Sequence, residues 1–282
     1  MRTDGSAQHG QTNTRLKQSL RSDDAKSARH FDDIAKEYAG YYNEPSTTGH
    51  SFRSRRAKCC GLLGNGPLGD LLDVGGASGI YFAALKSKVT SYHIVDISPI
   101  MVDLAKQIPG GGVPLFCHLA SAYELPFPDN YFQTVIAMGL LEYLDEPWRA
   151  LAELSRVARQ GGVLLVSYPN AHSPMRRMSE FLYRCFRRPP PFASRMFSLE
   201  ECRQGAAGLA LKEVCISGYN ATLLPFPLTW RLGHLAYWQA MACEPFLGPC
   251  GNLWGTSFTV KYEKAGKTGS TVRPTAAPLT TV

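Results

Sequence analysis

Two carboxylates and three glycines are spaced as a nucleotide-derived ligand would need them. The run "LLDVGGASG" ends an apolar stretch on Asp73 and Val74, then turns through Gly75, Gly76 and Gly79. Bare backbone at such a turn admits close approach by a ligand. A helix predicted to start at Ser78 would aim its N–H groups and the positive end of its dipole at that ligand. About twenty residues on, Asp96 closes a second apolar run, "YHIVD", where an acid can accept both hydroxyls of a ribose.

Two ligands suit this plan: a dinucleotide and S-adenosylmethionine. A dinucleotide fingerprint requires G-x-G-x-x-G. Counted from Gly75, the third position is Ala77 and the sixth is Ile80, so the fingerprint fails. Asp73 would also repel a pyrophosphate, whereas it suits an ammonium group, directly or through water.

The elements that must carry these residues alternate. Strands are predicted at 70–74, 91–97, 113–118, 131–139 and 163–169, with two more in "LKEVCIS" and "TSFTVKYE". Helices are predicted from Ser78, after the N-cap Ser98 with Pro99 at the first helical position, across "EPWRALAELSRVAR" up to Gly161 and Gly162, and after the N-cap Ser198. Such alternation argues for a mostly parallel sheet covered on both faces, with ligands beyond the carboxyl ends of the strands.

In sequence, "LLDVGGASG", "VDISPIMVDLAK" and "LASAYELPFPDNYFQTVIAMGLLEYLDEPWRALAELSRVARQGGVLLVSYPN" resemble the ordered motifs of class I S-adenosylmethionine-dependent methyltransferases. The branch resembled is that of small-molecule, ubiquinone-biosynthesis-type enzymes, and the similarity covers about 31–217. It implies an α/β fold: a Rossmann-like, doubly wound seven-stranded sheet, mostly parallel with an antiparallel last strand, plus helical lid elements. The cofactor implied is S-adenosyl-L-methionine. Asp73, Gly75, Gly76 and Gly79 match the turn around its methionine half, Asp96 the ribose acid and Ile97 the apolar neighbour of adenine. Met138 and Gly139 match the end of the fourth strand. Where the family often has an acid facing adenine, this chain has Ser121, a weaker acceptor, with Ala122 and Tyr123 beside it.

The stretch "RHFDDIAKEYAGYY" resembles the family helix that folds over the cofactor. Phe31, Ile34, Ala35 and Tyr38 have helical spacing. Phe31 and Ile34 read as core-facing, while Tyr38 divides evenly between core packing and a hydroxyl turned into the site. One of Arg53, Arg55 and Arg56 is expected to meet the cofactor carboxylate. Candidates for a base are Glu142, at a position the family often fills with histidine, and His172 past the fifth strand. Tyr143 belongs to the same edge. Solvated or packed roles compete for each of them, and for His118 the packed role is expected.

Two insertions should choose the acceptor. In 170–197, Met175, Met178, Phe181, Leu182 and Phe186 form an amphipathic stripe beside Arg176, Arg177, Arg184, Arg187 and Arg188. This is a helical lid with a solvated basic face, a clamp for an acidic substrate, or a segment in weak contact with an anionic membrane surface. Segment 218–255, aromatic and proline-rich, reads as a hydrophobic lid, a substrate wall or a dimer interface.

Domain boundaries follow. Residues 1–25 and 264–282 are expected to be disordered tails. A methyltransferase domain spans 26–263, with an N-terminal helical cap at 26–62.

Composition sets further limits. The chain has 282 residues, 44% hydrophobic and 19% charged, with Lys+Arg 30 against Asp+Glu 23. The excess charge clusters in the N-terminal arm and near 176–188, which disfavours a nucleic-acid footprint. The 8 cysteines show neither C-x-x-C nor zinc spacing, so reduced thiols in a cytoplasmic protein and no metal are expected. No signal-peptide core or bilayer-spanning run is seen.

The function expected is methyl transfer to O or N of a small hydrophobic or aromatic metabolite, in secondary-metabolite or quinone-like biosynthesis, by a monomer or homodimer. A non-catalytic S-adenosylmethionine-binding partner subunit and an NAD(P)-dependent reductase are the alternatives.

Overall fold

Alternate residues of the central strands enter opposite cores, which is why those strands read as unbroken apolar runs. A computed structural model of the protein describes residues 22–186, 195–221, 232–244 and 254–266. In β1 (Gly69–Val74), Leu72 and Val74 pack on one face of the sheet and Leu71 on the other. In β4 (Phe132–Ala137), Val135 and Ala137 share the first face and Ile136 the second. All of these side chains are buried.

The remaining strands are β2 (Val89–Asp96), β3 (Leu115–Leu119), β5 (Ala158–Pro169), β6 (Leu211–Tyr219) and β7 (Ser257–Lys264). Their order across the seven-stranded sheet is β3-β2-β1-β4-β5-β7-β6. All are parallel except β7, which runs antiparallel to both β5 and β6. The strand order reverses between β1 and β4, so a crevice opens beyond their carboxyl ends.

Helices α1 (Ser22–Tyr41), α2 (Thr47–Leu63), α3 (Phe82–Leu85) and α4 (Pro99–Lys106) precede the sheet's second half. Cys59 and Leu63 of α2 and Phe82 and Leu85 of α3 cover the face holding Leu71 and Ile136. On the other face, Leu151 and Leu154 of α5 (Pro147–Val157) pack with Cys202 of α7 (Leu199–Ala206). Helix α6 (Pro174–Cys185) follows β5, and α8 (Gly233–Cys243) lies between β6 and β7 in the chain.

Three expectations change. The helix foreseen from Ser78 shrinks to the four residues of α3, because Ala77 and Gly79 both take positive φ and hold the chain in turns. It therefore offers the crevice no helix dipole. The helix foreseen up to Gly161 ends at Val157, and β5 begins at Ala158 with Gly161 and Gly162 inside it. Lys264 reinforces that junction, donating to the carbonyls of Ser155 at 2.7 Å and Ala158 at 2.8 Å. Helix α1 begins at Ser22, inside the stretch read as a disordered tail, and its Asp24 is buried.

The caps at Ser98 and Ser198 form as expected. Ser98 accepts from the Met101 amide at 3.1 Å, and Ser198 forms a reciprocal capping box with Glu201. Most of 1–25 and 264–282, and residues 187–194, 222–231 and 245–253 of the two insertions, lie outside the described residues.

Candidate active site

The crevice is shaped by backbone before any side chain enters it. Gly75 has φ +69° and donates to the Val95 carbonyl at 2.8 Å. Ala77, also at positive φ, donates to Asp96 Oδ2 at 2.9 Å, and the Ser98 amide donates to Asp96 Oδ1 at 2.9 Å. These two bonds fix the Asp96 carboxylate, whose remaining lone pairs face a cavity at the carboxyl edge of the sheet. Burial pushes its pKa up to about 6 despite the amide donors.

Gly75, Asp96, Ile97, Ala122 and Gly139 line this cavity, together with Val74, Ala77 and Leu140. Six of the residues matched to the cofactor are set behind the wall. Asp73 is buried beneath the turn, accepting from the Tyr92 hydroxyl at 2.8 Å. Its Oδ1 is buried without a hydrogen-bond partner, and burial pushes the carboxyl up to about 7.

A Cβ on Gly76 would lie 2.8 Å from Asp73 Cγ, and one on Gly79 would lie 2.4 Å from Ile108 Cδ1. Packing under the turn thus requires both glycines. Ser121 accepts from the Tyr123 amide at 3.2 Å, closing a turn rather than facing the cavity. The Tyr123 hydroxyl accepts from the Glu146 amide at 3.2 Å, and Met138 belongs to the core.

The roof comes from α1 and α2. Asp24, Ser27, Phe31 and Tyr38 of α1 line the cavity. Asp32 clamps this helix to α4, accepting from Ser98 Oγ at 2.5 Å and from the Ile100 amide at 3.4 Å. Of the three arginines, Arg55 enters the site. Its Nη2 donates to the hydroxyls of Tyr38 and Tyr42 at 3.3 Å each, while the buried Nε finds no acceptor.

Gly139, at φ +80°, makes room for Arg55: a Cβ there would stand 1.8 Å from its Nη1. Arg53 instead donates to the carbonyls of Tyr42 and Glu44, and Arg56 lies over the Tyr42 ring.

A second, wider space adjoins the first. Phe31, Tyr38, Gly139 and Tyr143 line both. Its wall adds Tyr41, Phe52, Tyr183 and Tyr219, with Arg55 and Arg176 as cations and Glu44, Glu142 and Glu180 as acids. Glu142 Oε2 is buried with no partner. Burial raises its pKa, and Arg55 and Arg176 oppose that rise. Burial also pushes Tyr143 and Tyr219 up to about 12 and raises Tyr38, so all three phenols stay protonated and act as donors.

His172 does not join this group. It is exposed, outside both cavities, because its amide is tied back to Asn170 Oδ1 at 2.9 Å. His118 packs parallel to His93, with 3.3 Å between ring nitrogens. Residues that sequence reasoning missed include Asp24, Ser27, Asp32 and Tyr219, while Arg176 was foreseen only as one of the basic stripe in 170–197. Only Asp32 carried a signal, as the acid beside Phe31 in the quoted helix.

A crevice at the β1/β4 reversal, with an antiparallel β7 inserted between β5 and β6, defines a Rossmann-like class I methyltransferase fold. Residues 72–166 match the family model described as a methyltransferase domain, and this segment is a class I S-adenosylmethionine-dependent methyltransferase domain. A methyltransferase of Mycobacterium marinum is 34% identical over 98 residues, 35% of this chain and 38% of that protein. The match thus spans little more than a third of that relative.

Among solved structures, the magnesium protoporphyrin IX methyltransferase of Synechocystis PCC 6803 with bound S-adenosylhomocysteine aligns with TM-score 0.61. It is 13% identical, and the match covers 86% of this chain and 100% of that one. A Thermotoga maritima S-adenosylmethionine-dependent methyltransferase aligns with TM-score 0.56 at 19% identity, covering 83% and 98%. At such identities the likeness is one of fold.

The cofactor of this domain is S-adenosyl-L-methionine, and the residues present fit it. Asp96 can accept from ribose hydroxyls, and Ile97 and Ala122 offer apolar wall. The unpartnered Asp73 Oδ1 and Arg55 Nε suit an ammonium and a carboxylate.

Proposed function

We propose that the protein transfers a methyl group from S-adenosylmethionine to O or N of a small hydrophobic or aromatic metabolite, in secondary-metabolite or quinone-like biosynthesis. The observation carrying this reading is the junction of the two cavities, where Phe31, Tyr38, Gly139 and Tyr143 belong to both. A cofactor lying over Gly75 and Asp96 would meet an acceptor at that junction.

When bound, the cofactor supplies a methyl already activated by its positive sulfur. Asp96 holds the ribose, Arg55 the carboxylate, and Asp73 the amino group, directly or through a water. Phe31, Tyr38 and Tyr143 keep solvent from the junction and fix the acceptor's approach. Positioning of this kind is worth about 7–11 kcal/mol. Glu142 takes the proton released from the acceptor's hydroxyl, or from its nitrogen once methylated, and burial raises its pKa, which makes its carboxylate a stronger base. The cytoplasm, where the cofactor and reduced cysteines would coexist, is the proposed compartment.

The test is incubation with methyl-labelled cofactor and an extract of the source cells, followed by identification of the labelled product. A labelled small molecule is expected, and Glu142→Gln should lower its rate by about 10²–10⁴ while leaving cofactor affinity unchanged. Tight cofactor binding with no labelled product would favour a non-catalytic binding subunit instead.

A further inference from the structure

Helix α6 is amphipathic in an unusual sense. Its inward side presents Arg176, Ser179, Glu180 and Tyr183 to the acceptor cavity. The apolar stripe expected to pack instead divides. Met175 turns inward, while Met178 and Phe181 point out at 43% and 65% exposure, and Phe186 just beyond the helix is 56% exposed. Arg177 and Arg184 are exposed on that same side, and no acid of α6 joins them, because Glu180 faces the cavity.

A second helix repeats the pattern. α8 contains no charged residue, and Leu235, Trp238 and Met241, spaced three apart, are 58%, 63% and 42% exposed. Glu244 anchors its end beside the carboxyl terminus of β6, accepting from the Asn220 amide at 3.0 Å. Helix α6 leaves the carboxyl terminus of β5, which is parallel to β6 through β7. The two outward faces therefore belong to one end of the sheet, the end where the acceptor cavity lies.

We propose that these faces of α6 and α8 dock on an anionic lipid surface, with Phe181 and Trp238 entering the interface. Burial of the aromatic rings supplies affinity, and Arg177 and Arg184 meet the lipid phosphates. A second copy of the chain is the poorer occupant, since a two-fold interface opposes a patch with itself. Neither the outward face of α6 nor α8 offers a second copy an acid to neutralise Arg177 and Arg184, whereas an anionic bilayer is complementary. The docking stands on exposure and charge alone. Its consequence, that the acceptor is lipophilic and enters the cavity from the membrane, rests on the methyl-transfer reading.

Full-length protein should cosediment with vesicles of phosphatidylcholine mixed with phosphatidylglycerol, weakly with phosphatidylcholine alone, and less as salt rises. Arg177→Gln and Arg184→Gln should each weaken partition about five-fold. Phe181→Glu with Trp238→Glu should abolish it while leaving the thermal shift induced by S-adenosylmethionine intact, which shows that the variant is folded. No vesicle binding at low salt, or binding indifferent to these substitutions, overturns the proposal. So does a dimer in sedimentation velocity that Phe181→Glu disrupts, since the face would then join two copies. Vesicle binding without any cofactor-induced shift would leave the docking standing and remove the methyl-transfer reading.

Discussion

Asp96 and Asp73 show how two buried acids at one strand edge divide the work. Asp96 is held by two amides and faces the cavity, so its free lone pairs are already aimed at a ligand. Asp96→Ala should weaken binding of S-adenosylmethionine at least ten-fold by calorimetry, since hydrogen bonds to a charged acceptor contribute about 1.5–3 kcal/mol. A folded variant with unchanged affinity would refute the ribose assignment.

Asp73 is more costly to the fold. Burial moves its pKa from the ordinary 3.8 to about 7, so the folded state holds this proton more tightly than the unfolded chain does. Stability is greatest below the ordinary value and is lost as pH rises through about 7. Without cofactor, Asp73→Asn should therefore raise the melting temperature above about pH 7, and the gain should fade towards about pH 4. A gain independent of pH would show that the carboxylate carries no such cost.

Individual elements are joined to the site by polar clamps as much as by apolar packing. Asp32 links α1 to the start of α4 through Ser98, which places the roof over the crevice. Glu244 does the same for α8. It accepts from Ser54 Oγ and the amides of Asn220 and Ala221, and lies 3.4 Å from His50 Nε2. Losing that carboxylate would leave several part-buried donors unpaired, each costing about 1–3 kcal/mol. Glu244→Ala should thus speed amide exchange across 233–243 while the central strands keep their protection. Unchanged exchange there would mean that packing alone holds the helix. Among the described residues, no helix is long and apolar enough to cross a membrane.

At the scale of the molecule, the crevice joins the sheet to the helical cap, with walls from α1, β1, β2 and the loop after β4. A ligand bound there ties together parts distant in sequence. At a hundred times its Kd, S-adenosylmethionine should stabilise the fold by about 2.7 kcal/mol, a rise of roughly 5–10 °C in Tm for a domain of this size. NADH should give none, because Asp73 and the missing middle glycine disfavour a pyrophosphate. A comparable shift with NADH would reverse that choice.

The alternation of strands and helices was legible in the chain because buried parallel strands leave continuous apolar runs and caps leave Ser or Pro at fixed positions. Gly75 and Asp96 were legible as cavity-lining residues too, since a turn at positive φ and an acid closing a strand are local demands. The structure alone separated Gly76 and Gly79, needed for packing beneath the turn, from Gly75, which lines the cavity. It alone chose Arg55 over Arg53 and Arg56, left His172 outside, and brought Arg176 and Tyr219 to Glu142. Those outcomes depend on which face of a helix or strand meets which neighbour far along the chain, and spacing within a segment does not encode that.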